Sequence, residues 1–300
     1  MGESPEGLQE VESDIAKAII LKEMSILAKS KTLKDVLNDL RRVDKMTMAL
    51  NGEPVEEYRL AKDIQDILRC IMMELKGLHD KKKIHGSLST ETIVAWKEKL
   101  GVIDGVTEYK WEVKLLCSYD CGDGQYKKDM EGLINLIDEI LQHQPIPKDV
   151  AHLKDMLEKG MSTAFLCLHP CLWTSMQEMI NVEQMRMAHK KAESHKYEIE
   201  VGAQGVPMKI TQNWDKKIPP GSFLVKVKRK GNYDHLRTPA LKMLYFMRDV
   251  YNHAKTTEGE EHFDCKKLQE TLYCIYPEFM SNFVEQIFGI KQMRDALQDG

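Results

Sequence analysis

The residues best suited to chemistry lie near the end of the chain, on a segment whose apolar spacing predicts a helix from Ala240 to His253. Asp249 and His253 are four residues apart, so a helix places them on one face. Histidine can accept and donate protons near neutral pH, and the guanidinium of Arg248 can bind a phosphate through two donors. The pattern suits acid–base chemistry on a phosphate, although a surface histidine and a salt-bridged arginine would produce it equally well.

A basic run, Lys226-Val227-Lys228-Arg229-Lys230, precedes this helix, with charged and apolar residues alternating at its start. The alternation predicts an edge strand, where lysines protect the open edge, and it also suits contact with a nucleic-acid backbone. Residues 206–300 carry 15 Lys/Arg and 12 Asp/Glu, whereas residues 1–205 carry 28 and 35. Candidate RNA-binding residues therefore belong to the C-terminal part: Lys226, Lys228, Arg229 and Lys230.

Two Cys-x₃-Cys pairs, Cys117/Cys121 and Cys167/Cys171, have spacing that a zinc site could use. The second pair lies in a His-Pro-x-x-Trp segment, where packing is the simpler explanation. We therefore expect no metal and no cofactor. Four aromatic residues are predicted to be packing residues: Trp173, Trp214, Phe279 and Phe283.

The composition is that of a globular protein, with 42% hydrophobic and 30% charged residues. No apolar stretch is long enough to cross a membrane, and the first residues lack the pattern of a secretory signal. Seven cysteines without such a signal indicate reduced thiols. These features predict a cytoplasmic protein, with the nucleus as the alternative compartment, and no membrane partner.

Hydrophobic periodicity predicts a chain made mainly of helices. The predicted helices are Ser13–Ser30, Thr32–Leu40, Tyr58–Asp80, Asp129–Leu141, Lys154–Gly160, Thr174–Arg186, Ala240–His253, Asp264–Ile275 and Pro277–Phe288. Two short pieces, Thr92–Trp96 and Val113–Leu116, favour strands, and Asn51-Gly52 marks a turn. A polar, lysine-rich stretch over 187–205 is predicted to be a linker.

Four motifs in order resemble the C-terminal lobe of protein kinases. Ile84–Ile93 is similar to the kinase catalytic loop, and Asp129–Leu133 is similar to the helix that begins with aspartate deep in that lobe. Thr32–Leu37 stands where the family has a short helix. Leu168–Trp173 is similar to the segment that closes the lobe in the unfolded-protein-response sensor kinases and RNase L. The resemblance covers roughly Thr32 to Arg186, with no N-terminal lobe.

The groups that phosphoryl transfer requires are missing from these motifs. Ser87 stands at the position of the catalytic base, and Thr92 stands at that of the metal-binding asparagine. The metal-binding Asp-Phe-Gly triplet would fall near Cys117, so its aspartate is absent as well. We therefore expect neither kinase activity nor binding of ATP.

The segment from Asn213 to Ile290 resembles the ribonuclease domain that follows those same kinases. Its entry, its Leu244–His253 helix and its Pro277–Phe283 helix carry the likeness. In that family RNA is cut without metal, through attack of the ribose 2′-hydroxyl on its own phosphate.

The ribonuclease resemblance implies a role for each matching residue. His253 matches the catalytic histidine, and Arg248 matches the phosphate-binding arginine. Tyr233 matches the catalytic tyrosine if two residues are inserted, whereas an ungapped alignment places His235 there. Asp249 replaces an asparagine of the family.

The expected architecture is mainly α, with a degenerate kinase-like C-lobe followed by an all-helical ribonuclease-like domain. Its expected divisions are an N-terminal helical segment (1–31), the lobe (32–186), the linker (187–205) and a kinase-extension domain (206–300). Three functions are consistent with it: a pseudokinase-linked endoribonuclease that acts as a dimer, an RNA- or protein-binding module without cleavage, and a paralogue that dimerises with related kinase/ribonucleases.

Overall fold

Helices account for 58% and strands for 17% of the residues that the computed structural model describes, which confirms the mainly α prediction. The described residues are 30–50, 52–103, 106–120, 125–192, 196–256 and 264–298. The predicted helix Ser13–Ser30 lies almost entirely outside them. Within these ranges no helix is long and apolar enough to span a membrane.

The chain begins with a short strand, a short helix and a hairpin. Strand β1 (Lys31–Thr32) leads into α1 (Leu33–Asn38), where the Thr32 hydroxyl accepts a hydrogen bond from the Asp35 backbone at 3.2 Å. Strands β2 (Val43–Leu50) and β3 (Glu53–Leu60) then pair antiparallel. The sequence predicted a turn at Asn51-Gly52 but not the two strands; Gly52 lies in a turn, and Asn51 is outside the described residues.

Helix α2 (Lys62–Asp80) begins later than its apolar pattern predicted, because Tyr58–Leu60 belong to β3. Its buried face packs against a second hairpin, β5 (Ile93–Ile103) and β6 (Val106–Leu115), which extends the two predicted strand pieces. Strand β1 completes this three-stranded sheet beside β5. Strands β4 (Lys83–Ile84) and β7 (Tyr119–Asp120) form a separate short pair.

Four helices complete the region of the predicted lobe, and one of them extends beyond it. They are α3 (Tyr126–Ile140), α4 (Lys148–Glu158), α5 (Thr163–Leu166) and α6 (Ser175–Lys191). A capping box between Thr174 and Gln177 fixes the start of α6. The predicted linker is mostly helical, because α6 runs to Lys191 and α7 occupies Lys196–Gln204.

Every regular element described from 196 onward is a helix. These are α7, α8 (Met208–Thr211), α9 (Phe223–Lys230), α10 (Pro239–Thr256), α11 (Cys265–Ile275), α12 (Phe279–Ile287) and α13 (Lys291–Gln298). The basic run is therefore not the predicted edge strand but most of helix α9. Leu224 and Val227 bury its inner face, which places Lys226, Arg229 and Lys230 outside at helical spacing.

One continuous hydrophobic core extends from Leu33 to Leu297, so the two predicted domains share buried contacts. The predicted packing residues Trp173, Trp214, Phe279 and Phe283 all belong to it. A buried ion pair within the region of the predicted lobe takes part in these contacts. Arg59 of β3 donates to the Trp173 carbonyl at 3.1 Å and lies 3.4 Å from the Glu178 carboxylate of α6.

Helices α10 and α11 complete this buried cluster. Glu178 also accepts hydrogen bonds from Tyr251, at 3.1 Å, and from Gln269. Asp149 is buried beside the cluster, and burial raises its pKa to about 6 despite the nearby charge of Arg59. A charge removed from such a site leaves its partner uncompensated away from water.

Replacing Arg59 with methionine is expected to lower the free energy of unfolding by about 3–5 kcal/mol, because Glu178 would remain buried without its cation. Urea denaturation measures this change. Arg41→Met is the matched control, since the Arg41–Asp44 pair is exposed and such pairs contribute about 1 kcal/mol or less. Equal losses for the two variants would contradict the buried role of Arg59.

Candidate functional site

The loop that resembles the kinase catalytic loop is held by Asp129, 44 residues further along the chain. The buried Asp129 carboxylate accepts from the backbone of His85 at 2.9 Å and of Gly86 at 2.7 Å, and it contacts His79 Nε2 at 2.9 Å. Burial alone would raise the pKa of Asp129, but the hydrogen bonds from His79, Gly86 and His85 outweigh it, and the pKa is lowered. Two of the motifs found in the sequence are thus in direct contact.

Two of the three residues that match degenerate kinase positions, Ser87 and Thr92, are hydrogen-bonded to each other within one turn. The Thr92 hydroxyl donates to the Ser87 carbonyl at 2.8 Å, and it accepts from the Ser89 backbone at 3.0 Å. Cys117 is exposed, with a positive φ of 82° that is uncommon for a residue with a side chain. None of these three positions supplies a carboxylate or amide for a metal-bound nucleotide.

Millimolar ATP with Mg²⁺ is expected to leave the melting temperature unchanged, because Ser87, Thr92 and Cys117 cannot replace the missing metal ligands. A thermal-shift titration with magnesium alone as the control measures this. A rise that depends on ATP concentration would show that the nucleotide binds the folded chain and would overturn the prediction.

The second candidate site is centred on helix α10. The Tyr233 hydroxyl donates to Asp249 Oδ2 at 2.9 Å, and Arg248 Nη1 donates to Asp249 Oδ1 at 2.9 Å. Asp249 therefore joins the two groups, one through each of its oxygens. Tyr233 makes this hydrogen bond, whereas the ring of His235 lies 6.2 Å from that of Tyr245.

The close approach of Tyr233 depends on the glycine two residues before it. A Cβ atom at position 231 would overlap the hydroxyl end of the Tyr233 ring. Burial, followed by the charge and hydrogen bond of Asp249, raises the pKa of Tyr233 well above its ordinary value. Tyr233 is consequently protonated at neutral pH and acts as a donor.

A residue of helix α6 that the sequence analysis did not identify also contacts Arg248. Glu183 Oε2 accepts from Arg248 Nε at 2.8 Å, and both Glu183 oxygens accept from Arg186, at 3.1 and 2.8 Å. Burial opposes ionisation of Glu183, but these two arginines outweigh it and lower its pKa. Glu183 and Asp249 thus place two carboxylates on the guanidinium of Arg248.

Two further residues of α10 flank Arg248. Asn252, four residues along, accepts from Arg248 Nη2 at 2.8 Å when its amide oxygen faces the guanidinium. His253 follows Asp249 by one helical turn and is half-buried. The structure therefore gathers Tyr233, Arg248 and Asp249 into one hydrogen-bonded group, with His253 on the same helix.

The candidate RNA-binding residues of α9 differ in their surroundings. Lys228 Nζ forms an ion pair with Asp215 Oδ2 at 2.7 Å, whereas Lys226, Arg229 and Lys230 are exposed on the outer side of the helix. In the described part of the chain, no group of three or more His, Cys, Asp or Glu residues could hold a metal. Cys121, from the cysteine pattern considered above, lies outside that part.

No protein-family model matches this chain, and no curated protein is significantly similar to it.

Proposed function

We propose that this chain joins a kinase-like lobe without phosphotransferase chemistry to a metal-independent endoribonuclease-type domain. The observation that carries the proposal is the hydrogen-bonded group of Tyr233, Asp249 and Arg248, with His253 one turn along the same helix. These side chains supply the proton-transfer and cationic groups that cleavage of an RNA phosphodiester needs. No resident metal or cofactor takes part in the proposed reaction.

Each group has a distinct role in the proposed reaction. His253 takes the proton of the ribose 2′-hydroxyl while its oxygen bonds to phosphorus. Arg248 stabilises the charge that develops on the non-bridging oxygens. The bond to the 5′-oxygen breaks, and Tyr233 supplies the proton to that leaving oxygen. The products are a 2′,3′-cyclic phosphate and a 5′-hydroxyl.

The charges around Arg248 define the resting state of this proposed site. Glu183 and Asp249 occupy donors of its guanidinium that an RNA phosphate would otherwise use. Cleavage then requires that the phosphate displace at least one carboxylate. The ribonuclease resemblance implies that the active site is assembled when two copies associate. In our proposal, self-association or pairing with a related kinase/ribonuclease releases Arg248 from its carboxylate partners.

A second candidate function is a non-catalytic RNA- or protein-binding module. The pairing of Arg248 with two carboxylates favours it, because a neutralised guanidinium attracts phosphate weakly. In this alternative the exposed basic side of α9 would bind the partner, while the kinase-like lobe would act as a scaffold.

A cleavage assay on an end-labelled stem-loop RNA, with EDTA present, tests the proposal. We expect cleavage that increases with protein concentration, produces cyclic phosphate ends and weakens as salt is added. If neither the wild type nor Asp249→Asn cleaves the RNA at protein concentrations high enough for dimerisation, the endoribonuclease proposal is wrong. The non-catalytic binding module then remains as the proposed function.

A further inference from the structure

A cleft of about 710 Å³ adjoins Tyr233 on the side of helix α9. Its walls come from the end of α8, the 3₁₀ turn Trp214–Lys217, the loop after α9 and the first turns of α10. Its volume lies within the range of about 300–1,000 Å³ that small-molecule sites occupy. We call it the Trp214 cleft. The residue types and their spacing along the chain did not predict it.

We propose that the Trp214 cleft binds a nucleobase of single-stranded RNA next to the phosphate held by Arg248, an inference that rests on the proposed function. Tyr233 lines the cleft, and its hydroxyl reaches Asp249, which in turn holds Arg248. One side chain therefore belongs to both the cleft and the cleavage site. A nucleotide whose base lies in the cleft would be a neighbour of the scissile bond.

The charges of the cleft fit an uncharged group better than a phosphate. Lys228 pairs with Asp215 at 2.7 Å, and Lys242 lies 3.8 Å from Asp234. Each lysine of the wall is thus balanced by a carboxylate, so the wall carries no net positive charge. A phosphate would have to displace one of these carboxylates from its lysine, whereas a base requires only hydrogen bonds and an apolar surface.

Both requirements are met by side chains at the wall. Gln212, Asn213 and Asn232 carry amides, each of which can donate and accept hydrogen bonds in the manner of a base edge. Met208 is 73% exposed at the rim, where its thioether can lie against the face of a base. Trp214 contributes the buried aromatic floor, 6.1 Å from the Tyr233 ring centre.

The experiment measures equilibrium binding of a short labelled RNA whose single scissile 2′-hydroxyl is replaced by hydrogen, so that cleavage cannot occur. A second set of RNAs carries one abasic nucleotide, moved along the chain. We expect one abasic position to weaken binding to the wild type by about tenfold. The double variant Gln212→Ala/Asn232→Ala should bind the intact RNA about tenfold more weakly and should lose sensitivity at that position.

A matched control removes two amides from the kinase-like lobe, Gln142→Ala/Gln144→Ala, both exposed and outside the cleft. It should bind every RNA as the wild type does. Equal affinities of the wild type and the cleft variant for all RNAs overturn the inference, and so does an absence of RNA binding. Binding is measured separately from cleavage, so the two proposals can fail independently. If the protein cleaves RNA but no abasic position weakens binding, the base-binding role of the Trp214 cleft is refuted and the nuclease proposal stands. If one abasic position weakens binding but the protein does not cleave RNA, the nuclease proposal is refuted and the base-binding role stands.

Discussion

Asp249→Asn is expected to raise the rate of RNA cleavage by roughly 10²-fold, or to make cleavage detectable where the wild type shows none. Two physical effects act in the same direction. Loss of the carboxylate charge frees donors of Arg248 for the phosphate. It also removes a charge that raises the pKa of Tyr233, so Tyr233 gives its proton to the leaving oxygen more readily.

The measurement is a single-turnover cleavage rate at saturating protein. Glu183→Gln should act in the same direction, because it removes the other carboxylate from Arg248. Asp44→Asn is the control, since Asp44 is a partly exposed residue of strand β2 that pairs with the exposed Arg41 and is remote in sequence from the site. An unchanged or lower rate for Asp249→Asn would show that Asp249 assists the site rather than restrains it.

His253→Ala is expected to abolish nearly all cleavage, with a loss of about 10²–10⁴-fold, because His253 is the general base of the proposed mechanism and general acid–base catalysis contributes a factor of this size. The loss is best measured in the Asp249→Asn background, where we expect the fastest cleavage. RNA affinity should change little, since in the proposed mechanism His253 acts on the 2′-hydroxyl proton and Arg248 binds the phosphate.

His235→Ala is the matched histidine control for this prediction. His235 is exposed and lies near Tyr245, with ring centres 6.2 Å apart, whereas the side-chain hydrogen bonds to Asp249 come from Tyr233 and Arg248. It should retain full activity. Equal losses of activity for the two histidine variants, or full activity of His253→Ala, would contradict the proposed role of His253 as general base.

Helix α6 contacts both halves of the described chain. Glu178, near its start, forms an ion pair with Arg59 of β3, whereas Glu183, one to two turns later, forms an ion pair with Arg248 of α10.

Much of the secondary structure could be predicted from local patterns. Apolar residues at helical spacing marked helices α2, α3, α10 and α11 to within a few residues, because the buried face of a helix repeats along the sequence. The β2–β3 hairpin was missed, since its strands carry charged residues such as Glu56 and Arg59 among the apolar ones. Pairing between strands, rather than composition, forms that hairpin.

The basic run of α9 shows where local pattern misleads. A run of five residues, in which charged and apolar side chains alternate only at the start, is too short to distinguish a strand from a helix. The helix prevails because Leu224 and Val227, three residues apart, both pack into the core. Part of the stretch predicted as a linker is likewise helical, because Ile199 and Ala203 give α7 a buried face.

The sequence by itself determined which chemical groups are present: no carboxylate at Ser87, no amide at Thr92, and an aspartate at position 249 beside an arginine and a histidine. Tertiary structure alone decided which of those groups meet. It brought the Tyr233 hydroxyl to Asp249, and it brought Glu183 to Arg248 across 65 residues. Spacing along a helix fixes neighbours within a turn or two, whereas contacts between helices depend on how the whole core packs.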